Sequence, residues 1–139
     1  MKVLMDLVIN HTSLNNVWFK RSERAEVGID SKGNSFNFRD MYHWKFEGEI
    51  VKVNTKNGYK DVALGTETQE LIDDYGFPWY RYGTSKYYYY GKFGKGMAEL
   101  NFDCQATRDF VVDMANYWLG FGVDGFRCVC PGVCENYVI

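Results

Sequence analysis

The feature that most constrains this sequence is an irregular segment, residues 13–101, placed between a strand-like run and a helix–strand pair. The run before it, KVLMDLVINH at residues 2–11, is almost continuously apolar, which is typical of a strand covered on both faces in a parallel sheet. A helix and then a strand follow the irregular segment, and this order predicts a β-α-β crossover with parallel neighbouring strands. Because an ordinary loop needs only a handful of residues, residues 13–101 predict a small inserted domain.

The inserted segment alternates short strand patterns with turn signals. Residues 49–53 and 87–90 are predicted strands, and residues 67–75 are a predicted short helix. Asn57-Gly58 predicts a type I′ hairpin turn. The four tyrosines at residues 87–90 have two interpretations: they stack on sugar rings, or they form a strand with one packed and one wet face. The second is favoured because aromatic residues are common in half-buried strands.

A helix is predicted from Thr107 to Gly122. Thr107 suits the N-cap, and Asp109 in the first turn suits the helix dipole. Apolar residues then recur at spacings of three and four: Phe110, Val111, Met114, Ala115, Trp118 and Leu119. Gly120 and Gly122 end the helix, and residues 123–127 form the next strand.

Composition excludes several classes of protein. The apolar fraction of 46% is typical of a folding chain rather than a disordered one. A net charge of −2 leaves no electrostatic footprint for nucleic acid or an anionic membrane. The apolar stretches are too short to cross a bilayer, and Asp6 interrupts the start, so no signal peptide is expected.

The cysteines Cys104, Cys128, Cys130 and Cys134 crowd toward one end of the sequence. A disulfide framework would be spread along the chain, so we expect reduced thiols. A zinc site at the last three is a minor alternative because no C-x-x-C pair is present. The compartment stays open.

Three short motifs occur in order along the chain. They are Asp6-Leu-Val-Ile-Asn10-His11, Met97-Ala-Glu-Leu-Asn101 and Gly122-Val-Asp124-Gly-Phe-Arg127. Together they resemble the signatures of the α-amylase family of glycoside hydrolases, from the first residue to about Arg127. The resemblance implies an α/β fold class, a partial (β/α)8 TIM barrel with an inserted, irregular β-rich B domain. Residues 1–12 and 102–130 would belong to the barrel and residues 13–101 to the B domain.

The resemblance also implies roles for single residues. His11 would bind the sugar in the cleavage subsite, and Arg127 would sit beside the nucleophile and the substrate. Asn10 would be a side-chain ligand to a calcium ion, the implied cofactor. Asp6 would be a buried structural residue paired with a donor, and Asp124 would also be structural. The substrates would be α-glucans or maltooligosaccharides, cleaved by retaining hydrolysis or transfer at α-glucosidic bonds.

The chain departs from the family pattern after Arg127. Val129 stands where the family has its nucleophilic Asp, and a valine cannot attack the anomeric carbon. The general acid would lie on a later strand, so the catalytic residues are not intact and we expect this chain to be inactive alone. Residues 131–139 form an atypical tail, and our hypothesis is a gene prediction truncated at the front and frame-shifted after Arg127.

Three alternatives stay open. The first is an inactive paralogue in which Val129 is genuine. The second is a non-catalytic amylase-like module that binds carbohydrate or a partner protein. The third is a small protein stabilised by metal or disulfides. The choice between α-1,4 and α-1,6 linkages also stays open, because Ala98 and Glu99 depart from the usual form of their motif.

Overall fold

The computed structural model describes residues 1–55 and 58–128. Within them lie three α-helices, one 3-10 helix and eleven short strands. The helices are α1 Val17–Glu23, α2 Gln69–Tyr75 and α3 Gln105–Gly120, with the 3-10 helix at Phe38–Met41. The strands are β1 Leu4–Leu7, β2 His11–Ser13, β3 Val27–Ile29, β4 Ser35–Asn37, β5 Trp44–Phe46, β6 Ile50–Thr55, β7 Gly58–Ala63, β8 Trp79–Arg81, β9 Tyr87–Tyr90, β10 Met97–Glu99 and β11 Gly125–Cys128.

The first and last strands, β1 and β11, confirm the predicted β-α-β crossover. β1 pairs in parallel with β11, from Leu4 opposite Gly125 to Leu7 opposite Cys128. The helix α3 precedes β11, as the order of patterns in the sequence required. No helix in the described part of the chain has the length and apolar character needed to cross a membrane.

The prediction of one strand over residues 2–11 is wrong. β1 ends at Leu7, and a second strand, β2, begins at His11 because its residues pair antiparallel with β10. The backbone N–H of Leu100 also donates to the carbonyl of Asn10 at 2.9 Å. The expected cover on both faces of the first strand is also not observed, since Leu4 is 71% exposed.

The helix α3 begins earlier than predicted. Its N-cap is Cys104 rather than Thr107, which lies buried within the first turn with its hydroxyl directed at the Met41 carbonyl, 3.4 Å away. A turn in which Asn101 accepts the N–H of both Asp103 and Cys104 starts the helix. Val111 and Ala115 are buried as the pattern predicted, but Leu119, the last residue of the predicted stripe, is 45% exposed.

The inserted segment forms small antiparallel sheets. β9 lies between β5 and β8, which confirms the predicted strand at residues 87–90. Its tyrosines do not alternate between packed and wet, because Tyr88 and Tyr89 are both 1% exposed and pack into different hydrophobic clusters. β6 and β7 form the predicted hairpin, whose turn residues 56 and 57 lie outside the described residues.

Two hydrophobic clusters hold the chain together. The larger one joins Leu7 and Ile9 to Phe19 and Tyr89 of the insertion and to Val111 of α3. The smaller one lies between the β6–β7 hairpin, α2 and Tyr88. The larger cluster therefore contains residues from both sides of the boundaries predicted at residues 12 and 101. These domain boundaries stay a prediction.

Candidate functional site

His11 lies at the first position of β2, directly opposite Glu99 of β10. Its ring centroid is 5.9 Å from that of Phe93, and its Nδ1 is buried without a hydrogen-bond partner among the described residues. Burial lowers the pKa of the imidazole from its ordinary value of 6.5, so the ring is neutral at pH 7. A neutral imidazole presents one donor and one acceptor, which suits a hydroxyl group.

Glu99 and Phe93 are residues of this site to which the sequence gave no role. Burial raises the pKa of the Glu99 carboxyl, and the charge of Lys92 opposes this shift. Only the antiparallel pairing of β2 with β10 brings Glu99 opposite His11, a contact between residues far apart in the chain. Phe93 lies in the loop between β9 and β10 and reaches His11 from there.

Asn10 offers a buried oxygen atom without a partner. The residue is 4% exposed, and its side-chain Oδ1 accepts no hydrogen bond within the described residues. An amide oxygen is a ligand that calcium accepts, so this atom fits the implied ion. The described residues contain no group of three or more His, Cys, Asp or Glu side chains able to hold a metal.

Asp6 and Arg127 form the ion pair of the two parallel strands. The guanidinium donates from Nε and from one terminal nitrogen to the two carboxylate oxygens, both at 2.9 Å. Arg127 is therefore the donor that Asp6 was predicted to have. The predicted burial of Asp6 is wrong: its side chain is 58% exposed and that of Arg127 74%, because β11 is the only strand paired with β1 in the described residues.

Asp124 has a structural contact of its own. Its carboxylate accepts the Val3 N–H at 2.6 Å, while its own N–H donates to the Val3 carbonyl at 2.9 Å. This pair of bonds fixes the start of β11 beside the residues that lead into β1.

Of the remaining predicted positions, some lie within the described residues and some lie outside them. Cys104 is a free thiol. Val129, Cys130, Cys134 and the tail of residues 131–139 lie outside the described residues, so the nucleophile position and the zinc alternative rest on the sequence alone.

The fold and the site together define a class. A parallel strand pair is connected through a long insertion and a helix, and polar side chains gather just beyond the end of the first strand. This is how α/β enzymes arrange their sites.

Comparison with known proteins gives the family. The family model for the α-amylase catalytic domain matches residues 1–133. The chain therefore belongs to the α-amylase family of glycoside hydrolases. An oligo-1,6-glucosidase of Bacillus sp. (strain F5) is 32% identical over 139 residues, 99% of this chain and 23% of that protein. A trehalose-6-phosphate hydrolase of Bacillus subtilis is 35% identical over 127 residues, 91% of this chain and 19% of that protein.

A solved structure supports the same assignment. The crystal structure of Bacillus licheniformis trehalose-6-phosphate hydrolase is similar to this chain with a TM-score of 0.60 and 30% identity. The match covers 92% of this chain and 19% of that one. The chain thus spans about a fifth of the length of the relatives that it matches.

Proposed function

We propose that this chain is the segment of a retaining glycoside hydrolase, acting on α-glucosidic bonds, that supplies the third barrel strand, the B domain, the third helix and the fourth strand. The observation that carries the proposal is the pairing of the three family-like motifs. β2–β10 puts His11 of the first motif opposite Glu99 of the second, and β1–β11 joins Asp6 to Arg127 of the third. The relatives named oligo-1,6-glucosidase and trehalose-6-phosphate hydrolase support an α-glucosidic substrate, an α-glucan or maltooligosaccharide in this proposal.

In this function His11 binds a sugar hydroxyl in the cleavage subsite. Its imidazole is neutral at pH 7 and so presents one donor and one acceptor, which a sugar hydroxyl can match. Arg127 is oriented by two bonds to Asp6 and presents its cation beside the substrate. A cation there favours the ionised form of a neighbouring carboxylate.

Asn10 would hold calcium through its Oδ1 atom. The ion would supply a fixed positive charge that joins the first strand to the insertion. A hard cation needs six to eight oxygen ligands, so other oxygens would have to complete the shell around this one.

The chain by itself is not proposed to be a catalyst. Retaining hydrolysis needs a carboxylate nucleophile and an acid about 5 Å from it. Val129 occupies the nucleophile position in the sequence and supplies no carboxylate. The same observation favours a second candidate function, a non-catalytic amylase-like module that binds carbohydrate.

Sugar binding and turnover test these proposals together. The pure chain is titrated with maltotriose while amide chemical shifts are recorded, and hydrolysis of a nitrophenyl maltoside is followed in parallel. We expect weak binding at residues 10–13 and 93–99 that the substitution His11→Ala abolishes, with no turnover above that of the variant purified in the same way. Binding that survives His11→Ala at these residues would contradict the role of His11, and turnover that exceeds the variant's would contradict the inactivity.

A further inference from the structure

We infer that the insertion holds a second carbohydrate-binding site, separate from His11, in a cavity at the outer edge of β5. The cavity has a volume of about 410 Å³, within the range of roughly 300–1,000 Å³ that small-ligand sites occupy. Its walls come from the 3-10 helix, from β5, from Trp79 of β8 and from Tyr87 of β9.

The charges on the cavity walls balance. Arg39 and Lys45 supply two cations, and Asp40 and Glu49 supply two anions. Lys45 lies 3.9 Å from Glu49, so this pair neutralises itself. Burial lowers the pKa of His43 below 6.5, although its bond to the Leu100 carbonyl opposes the shift, and the ring is therefore neutral at pH 7. A cavity without net charge favours an uncharged polar ligand.

Aromatic rings supply the apolar part of the walls. Trp44, Trp79 and Tyr87 all line the cavity. The guanidinium of Arg39 lies 3.9 Å from the centroid of Tyr87 and donates to the Ser22 carbonyl at 3.1 Å, so the Tyr87 ring is held in place before any ligand arrives. A sugar ring combines C–H faces, which suit aromatic walls, with hydroxyls, which suit polar ones. Of the tyrosine run, Tyr87 is thus the residue that could stack on a sugar ring, while Tyr88 and Tyr89 are buried.

The backbone at this edge selects a small ligand rather than an added strand. The His43 carbonyl accepts from Tyr90 and the Glu47 N–H donates to Lys86, so the alternate residues Trp44 and Phe46 direct their backbone groups outward. Glu49 closes this edge at Phe46, because its carboxylate accepts the Phe46 N–H and its own N–H donates to the Phe46 carbonyl. The outward-facing backbone N–H and C=O of Trp44 are too few to bind an added strand. They match a hydroxyl group, which both donates and accepts.

Maltotriose, an uncharged trisaccharide, is the probe. It is titrated into the full chain, into the His11→Ala variant and into His11→Ala variants that also carry Asp40→Asn or Trp79→Phe, with tryptophan fluorescence and amide chemical shifts as readouts. Asp61→Asn, which removes an exposed carboxylate on β7 outside the cavity, is the matched control, and circular dichroism checks that each variant folds. We expect the His11→Ala chain to retain saturable binding at residues 39–49, 79 and 87. Asp40→Asn should weaken this binding about tenfold, the loss expected for a hydrogen bond to a charged group.

The outcomes separate this site from the proposed function. If Asp40→Asn and Trp79→Phe leave the affinity of the His11→Ala background unchanged, or if that background shows no saturable binding, the second site is refuted. If instead the cavity variants lose binding while His11→Ala alone loses none, the second site stands and the proposed role of His11 fails. An equal loss in Asp61→Asn would also refute the site, because the effect would then be a general one of charge.

Discussion

The bond between α3 and the β3–β4 hairpin gives a sharp test of the fold. Asp109 of α3 accepts the Ser31 N–H at 2.9 Å, the Ser31 hydroxyl at 2.7 Å and the Gln105 amide at 2.8 Å. Each bond to a charged group contributes roughly 1.5–3 kcal/mol in a protected site, and less where solvent screens it, as at these exposed contacts. Because Asn keeps one carbonyl oxygen, Asp109→Asn should lower the free energy of unfolding by about 1 kcal/mol at pH 7.

The sign of the pH dependence follows from the pKa of Asp109. Burial alone would raise this pKa, but the bonds from Ser31 and Gln105 and the charge of Arg108 lower it below the ordinary value of 3.8. A carboxyl whose folded pKa is lowered contributes stability above its unfolded pKa and loses that stability as the pH falls through its folded value. The difference between wild type and Asp109→Asn should therefore be full at pH 7 and should vanish at a pH well below 3.8.

Urea unfolding at a series of pH values measures this difference. Asp113→Asn is the matched control, since Asp113 lies one turn further along α3, and it should change the stability by no more than about 0.5 kcal/mol. A loss that persists at low pH would show that the carboxylate bonds to Ser31 do not cause it. An equal loss in the Asp113 variant would refute the reasoning as well.

Three further predictions concern the core, the ion pair and the gene. Phe19 is 0% exposed and contacts four aromatic rings, so Phe19→Ala should cost about 3–5 kcal/mol in urea unfolding, with Val62→Ala in the smaller cluster costing less. Asp6→Ala should cost less than about 1 kcal/mol, because the pair with Arg127 is exposed. Resequencing of the locus tests the frame shift, because the nucleotides from codon 128, read in another frame, should encode an Asp in place of Val129. If no frame encodes this Asp, the inactive paralogue is the better explanation.

The sequence predicted the elements better than their contacts. The parallel pairing of β1 with β11 followed from the order of strand, helix and strand, which leaves few connections open. The split of residues 2–11 into two strands did not follow, because it depends on β10, which approaches from far along the chain. Thr107 was misplaced as an N-cap for the same reason, since its hydroxyl is directed at Met41, a residue of the insertion.

The candidate site shows the same division between local and distant information. His11, Asn10, Asp6 and Arg127 could be named from motifs, whose residues are close in sequence, but the pairing of Asp6 with Arg127 depends on the register of β1 with β11. Glu99 could not be placed opposite His11 without the register of β2 with β10. The exposure of Asp6 also escaped prediction, because burial depends on how many strands lie beside β1 and not on the residues of β1 itself.

The insertion, and not β1, sets the position of the residues proposed to bind sugar and calcium. The chain leaves β1 at Leu7, and the carbonyl of Asn10 then accepts the N–H of Leu100, next to the pairing of His11 with Glu99. The next residue along, Asn101, donates its N–H to the Met41 carbonyl at 2.7 Å, so this end of the insertion is itself fixed by the 3-10 helix. Since these bonds connect the site to the larger hydrophobic cluster, substitutions in that cluster should alter sugar binding at His11 even where the substituted residue does not contact His11. Substitutions confined to the β6–β7 hairpin, which packs in the smaller cluster, should leave that binding unchanged.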